Sequence, residues 1–204
     1  GFDFCCGGRQ TLAQACKKKG LETEAIVQTL QQQCRPSNEV DLSKMSQPEL
    51  VQHIIHRHHD YTRSVLPTLH RQLVRVCDVH GSEHPELLNL FEVFQRFSDD
   101  LYSHMQKEEQ ILFPMLSGIQ SASPIGCSIP HIISVMEMEH HEAGDDLGKM
   151  NHLTNGYQPP EGACGTYRSL FAGLSELEHD MHLHVHAENH VLFPKAMQLL
   201  GQSA

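Results

Sequence analysis

A histidine and a glutamate four residues apart occur twice in this chain, inside nearly the same phrase: HMQKEEQILFP at 104–114 and HVHAENHVLFP at 184–194, an offset of 80 residues. On a helix, residues four apart share a face, one turn above the other. Each pair also continues an apolar stripe. The first stripe reads Leu90, Phe94, Phe97, Leu101, His104, Glu108, Ile111/Leu112, and the second Leu170, Leu174, Leu177, Met181, His184, Glu188, Val191/Leu192. His104, Glu108, His184 and Glu188 therefore stand where the spacing asks for inward apolar side chains. Buried carboxylates beside buried imidazoles are unfavourable unless something positive compensates them, and a metal ion does so.

Two more histidines face inward. In HRHHD, His59 follows Ile55 by four residues and precedes Thr62 by three. In the stripe Ile133, Met136, His140, Ala143, Leu147, it is His140 that faces in, and His141 does not. Two helices with one histidine each and two with His-x-x-x-Glu define a quasi-twofold site. His80, in the turn region before the second of these helices, has no counterpart in the other half and is the natural extra ligand. Five histidines and two glutamates are too many for one zinc ion, which takes about four ligands, and His plus carboxylate suits iron. Two six-coordinate irons offer on the order of 12 positions. Bridging Glu108 and Glu188, the five histidines and an oxo or hydroxo bridge leave one position open, on the iron with fewer histidines, for a small ligand. The remaining histidines (53, 56, 58, 70, 84, 131, 141, 152, 179, 182, 186 and 190) lie off the stripes and read as solvated or as outer partners of the ligands.

Helices must position these residues, and the pattern supplies them. From residue 47 onward the chain reads as helix, with no strand-like alternation. Ser46 can cap a first long helix that opens Gln47-Pro48-Glu49, with Pro67 as an expected kink. A second should run from near Pro85 to about 117, a third from near Pro130 to the NGYQPP break at 155–160, and a fourth over about 161–199. Short connections between four long helices predict an all-α, antiparallel four-helix bundle over 47–204. The repeated Leu-Phe-Pro is expected to pack and then bend each helix beyond its ligands. Ahead of the bundle, residues 35–46 read as a linker, and residues 1–34 as a small domain with helical stretches around 9–18 and 22–33, the second starting near Thr23.

Composition sets outer limits. The 204 residues suffice for one domain and a small extra one, and no apolar run is long enough to span a membrane. A formal net charge of −10 argues against nucleic acid or an anionic membrane as partner. Seven scattered cysteines suggest a reducing cytoplasm rather than a disulfide framework. Seventeen histidines without a tryptophan repeat the metal signal. No signal-peptide pattern opens the chain, which begins at Gly1 rather than Met.

Duplicated His-x-x-x-Glu in a four-helix bundle resembles the hemerythrin fold. CCGG with a small helical region, then HHDY, SHMQKEEQILFPM, SVMEMEHHEAG and HAENHVLFP, resembles more narrowly the repair-of-iron-centres family, hemerythrin-like iron–sulfur cluster repair proteins. The resemblance covers essentially the whole chain. It implies a cytoplasmic, non-haem di-iron stress protein that restores iron–sulfur clusters damaged by nitrosative or oxidative stress, through iron donation or nitric oxide handling. Nitric oxide reduction would make it an enzyme and iron donation would not; both stay open. The implied ligands are His59, His80, His104, Glu108, His140, His184 and Glu188, with two oxo- or hydroxo-bridged irons. The family's vicinal cysteines fall on Cys5 and Cys6, with a redox or relay role. The front of this domain is shorter than in the family and is expected to be N-terminally incomplete. Damaged iron–sulfur proteins, nitric oxide or dioxygen, and a second copy of the chain are the implied partners. A hemerythrin-type oxygen or nitric oxide carrier or sensor is the alternative, less suited because a carrier has no use for the extra domain. A ferritin-like oxidase would be richer in carboxylate, with Glu-x-x-His spacing.

Overall fold

In a computed structural model, residues 11–33, 41–118 and 128–202 are described, and among them every regular element is helical. Helices α1 (Leu12–Lys19) and α2 (Thr23–Gln33) form a short pair. Thr11 caps α1 in a reciprocal box with Gln14, and Gly20, at φ 65°, ends it in the left-handed conformation that only glycine adopts without strain. A single 3₁₀ turn at Leu42–Lys44 leads into the bundle, and Lys195 donates to the Ser43 and Met45 carbonyls.

Four long helices follow: α3 (47–80), α4 (86–116), α5 (129–153) and α6 (165–202). Helix α3 starts at the expected place. The Glu49 carboxylate accepts from both the backbone N–H and the hydroxyl of Ser46, at 2.7 Å each, and Pro48 occupies the first turn. Packing runs α3 on α4, α4 on α5, and α6 back on α3, the up-down-up-down order expected of short connections. The stripes read from sequence are buried: Leu90, Phe94, Phe97 and Leu101 meet Leu66, Leu69 and Leu73 on one side and Leu170, Leu174, Leu177 and Met181 on the other. A second apolar cluster closes the opposite end, built from Leu50, Ile54, Leu112, Phe113, Ile133, Met136, Leu192 and Phe193. The polar site lies between these two clusters.

Expectation and structure part over the prolines. Pro67 sits inside the unbroken α-helical segment Asp60–His80. Departures from α geometry occur instead as three π turns, at Ile55–His59, Glu108–Leu112 and Glu188–Leu192. In the last two the N–H of the phenylalanine bonds five residues back, Phe113 to Glu108 and Phe193 to Glu188. Leu-Phe-Pro thus follows a widened turn. A widened turn relieves the clash between the Pro114 or Pro194 ring and the carbonyl four residues earlier.

Helices α4 and α5 are also clamped by charge. Arg96 forks onto Asp146, Nε to Oδ2 at 3.0 Å and a terminal nitrogen to Oδ1 at 2.6 Å, while Lys149 adds 2.8 Å. Burial pushes the Asp146 carboxyl up, but Arg96 and Lys149 outweigh it and hold it below 3.8. Because the folded value is depressed, this stabilisation is present above the unfolded value and fades as pH falls through the folded one. Asp146→Asn is expected to lower the melting temperature at pH 7 and to change little near about pH 2.

Candidate metal centre

Each helix delivers its polar residues to one level of the bundle. Helix α3 brings His59, α4 His104 and Glu108, α5 His140, and α6 His184 and Glu188; all six are buried, His104 the most open at 4%. They sort into two groups, His59–Glu108–His184–Glu188 and His104–Glu108–His140–Glu188, whose ligand atoms lie within 4.8 Å of one another. Both glutamates belong to both groups. Glu108 Oε2 is 3.3 Å from His59 Nε2, and its Oε1 is 3.3 Å from His104 Nε2. Glu188 Oε1 is 3.2 Å from His184 Nε2, and its Oε2 is 3.0 Å from His140 Nε2. Within each group the two imidazole Nε2 atoms face each other, His59 to His184 at 3.2 Å and His104 to His140 at 3.0 Å.

These separations are those of groups sharing an ion. Two ligand atoms about 2.1 Å from one metal stand ~3.0 Å apart when they meet at a right angle. Both oxygens of Glu108 and one of Glu188 are buried without a hydrogen bond, despite imidazole nitrogens 3.0–3.3 Å away. Buried carboxylate oxygens left so are strongly unfavourable unless a cation takes them. The donor set therefore fits hard-to-borderline metal, and Glu108 and Glu188 stand in both ligand groups.

Electrostatics agree. Burial and Glu188 push the Glu108 carboxyl up, but His104 and His59 bring it below its ordinary value. Burial acts likewise on Glu188, and His184 and His140 hold it well below. Burial would depress His104, yet Glu108, Glu139 and Glu188 raise it to about 10. That proton occupies the place of a cation, so metal binding must release it. His184 goes the other way, since burial outweighs the pull of Glu188.

Outside the ligands stands a layer that the sequence reading left unnamed. His59 Nδ1 is 2.7 Å from Glu109 Oε1, which also accepts from Arg63 at 2.9 Å. His104 Nδ1 is 2.8 Å from Glu139 Oε2, and Lys107 bonds the other Glu139 oxygen. His140 Nδ1 is 2.9 Å from Asn189 Oδ1. Acceptors on the second ring nitrogen fix the tautomer that presents Nε2 to a metal. The repeat held the signal: Glu109 and Asn189 each follow a shared glutamate, and Glu139 directly precedes a lone histidine. His58, expected to be solvated or an outer partner, is 3% exposed and lies against His184. A cleft of about 130 Å³ between α4 and α5, lined by Asp100, Lys107, Glu139 and Glu142, reaches His104 and His140.

His80 is not brought to the centre. An α-helix rises 1.5 Å per residue, so the far end of α3 stands roughly 30 Å from His59. There the His80 ring packs on Tyr167, with Nε2 3.4 Å from Cys164 Sγ. The turn that was expected to hold it is the last turn of the helix itself. Cys5 and Cys6 lie outside the described residues.

Comparison with known proteins bears on the same residues. The hemerythrin HHE cation binding domain matches residues 50–196, which contain the whole cluster, and the ScdA_N domain, a domain of unknown function (DUF542), matches residues 1–33. The iron–sulfur cluster repair protein YtfE of Dickeya chrysanthemi (strain Ech1591) is 40% identical over 201 residues, 97% of this chain and 87% of that protein. The chain belongs to the hemerythrin-like iron–sulfur cluster repair family. Proteins of the same name from Citrobacter koseri and Escherichia coli (strain K12 / DH10B) are each 40% identical over 199 residues, 96% of this chain and 87% of theirs. The family's cation-binding domain thus coincides with the bundle that carries the two ligand groups. Among the described residues no helix is long and apolar enough to cross a membrane.

Proposed function

We propose that this chain is a non-haem di-iron protein that repairs iron–sulfur clusters damaged by nitrosative or oxidative stress. One observation carries the reading: two buried glutamates each offer one oxygen to each of two histidine pairs. The name of its relatives, iron–sulfur cluster repair protein, supports the repair role. Nitrogen and carboxylate donors without thiolate favour iron over a structural zinc, and bound iron would supply labile Fe(II)–carboxylate bonds or a seat for a diatomic ligand. With His80 away from the centre the two positions have equal ligand sets, two histidines and two carboxylate oxygens each. If both irons are six-coordinate and share an oxo or hydroxo bridge, one place stays open on each, rather than one in all.

The bundle's own residues do the rest. Glu108 and Glu188 would hold the metal between the two histidine pairs, Glu109, Glu139 and Asn189 orient the imidazoles, and the flanking apolar clusters keep water out. Residues 1–34 form a separate small domain joined through 35–46 to the bundle at 47–204, with Cys5 and Cys6 relaying electrons or iron. The partners are damaged iron–sulfur proteins in a reducing cytoplasm, nitric oxide or dioxygen as the small ligand, and a second copy of the chain.

The deciding experiment is iron content per chain combined with a Mössbauer spectrum before and after nitric oxide. About two coupled irons, perturbed by nitric oxide, are expected; one zinc per chain, or no metal, would sink the reading. A stable oxygenated form would favour a carrier instead. The double variant Cys5→Ala/Cys6→Ala is expected to keep both irons while losing most repair of a nitric-oxide-treated cluster protein. Unchanged repair would remove the cysteines from the mechanism.

A further inference from the structure

Three of the four histidines at the centre bond through Nδ1 to a side chain of a neighbouring helix: His59 to Glu109, His104 to Glu139 and His140 to Asn189. His184 does not. Its ring is fully buried and its Nδ1 makes no hydrogen bond. The internal repeat shows what is missing. Glu139 reaches His104 from the position just before His140, and the matching position, just before His59, is His58. Where the other half has a carboxylate, this half has a second imidazole.

That imidazole is held firmly. His58 is 3% exposed and stacks on His184, ring centroids 5.3 Å apart and planes 5° from parallel. Its Nδ1 is 3.0 Å from Asp180 Oδ2, and Asp180, itself 4% exposed, accepts from Arg57 at 2.9 Å. Asp180 stands one turn before His184 on the same helix. The His184 ring is thereby oriented by a stack without an Nδ1 hydrogen bond, whereas His59 and His140 combine a stack, on Phe113 and Phe193, with an Nδ1 hydrogen bond and His104 has the hydrogen bond to Glu139.

We infer that His58, braced by Asp180 and Arg57, is a positioning residue for His184, and that the ion held by the His59–His184 pair is bound less tightly than the ion held by the His104–His140 pair. This rests on the di-iron reading above. An acceptor on the second nitrogen both orients an imidazole and makes it a stronger donor, and such partners are worth about 10- to 100-fold in metal affinity. A stack orients the ring without strengthening it as a donor. Two positions with identical ligands therefore differ through their surroundings.

The test is anaerobic titration of the metal-free full chain with Fe(II), and with Co(II) as a second probe whose visible bands follow uptake, followed by release to a chelator. Two binding steps at least ~10-fold apart are expected. His58→Ala should weaken only the weaker step, by a further ~10-fold, and His58→Phe, which keeps a stacking ring, should recover most of it. Glu139→Gln should weaken the tighter step instead. Two equal steps in the parent, or a His58→Ala variant with both steps unchanged or both equally weakened, would overturn the inference. Should His58→Ala fail to fold in a melting control, Asp180→Asn carries the same test, a change confined to the weaker step supporting the inference and no change overturning it. A parent that takes up one ion or none overturns the di-iron reading itself, so the two failures are distinguishable.

Discussion

Glu188→Ala is expected to empty both halves of the centre at once, reducing bound iron from about two per chain to a small residue and abolishing repair. The reason is the sharing. Glu188 lies 3.0 Å from His140 and 3.2 Å from His184, so each group loses a quarter of its ligands together with the link between them. Outer partners of a ligand are worth about 10- to 100-fold in affinity, and a shared ligand should exceed that for each ion. Glu108→Ala should behave alike. The fold is expected to survive, because the apolar clusters on either side of the centre are left intact. Metal analysis beside thermal melting checks both halves of the statement. His186→Ala, on the outer side of the same helix turn, should leave iron content unchanged. An iron-free His186→Ala variant would mean that the helix face has been misassigned.

Phe94→Ala should do the reverse, lowering stability while leaving the ligands in place. Phe94 is fully buried in the larger apolar cluster, among Leu66, Leu69, Leu170 and Leu174. Truncating a buried phenylalanine to alanine costs about 3–5 kcal/mol, from lost burial and the cavity left behind. For a domain of this size that corresponds to a fall of roughly 10 °C in melting temperature. Phe94 precedes His104 by almost three turns, so the centre itself is untouched. The variant should still take up two irons at 20 °C, as measured by metal content after mild purification. Loss of iron at full folding would show that the core and the centre are coupled.

Repetition along the chain made most of this legible in advance. The two His-x-x-x-Glu pairs continue stripes that helical spacing alone turns inward, which is why His104, Glu108, His184 and Glu188 could be picked from 17 histidines and 25 acidic residues. His59 and His140 followed from the same argument on the other two helices. Helix starts were readable because they depend on neighbours in the chain: Ser46 with Glu49, Thr23, and the prolines of the first turns.

What three dimensions decided depends on atoms distant in sequence. Helical spacing does not say where along a bundle axis a residue ends up, so the reach of His80 could not be judged until α3 proved continuous to residue 80. Two of the three π turns, at Glu108–Leu112 and Glu188–Leu192, come just before a proline, and the widened helix accommodates both the ring and a buried glutamate, a compromise between backbone and packing. Glu139 meets His104 across α4 and α5, and His58 meets His184 across α3 and α6. Neither contact has a spacing that a single chain segment could reveal. Side-chain periodicity depends on neighbours three and four residues away, and so the residues that converge at the centre could be read from the sequence. Their orientation depends on partners 35 or more residues away, and only the packed bundle could supply it.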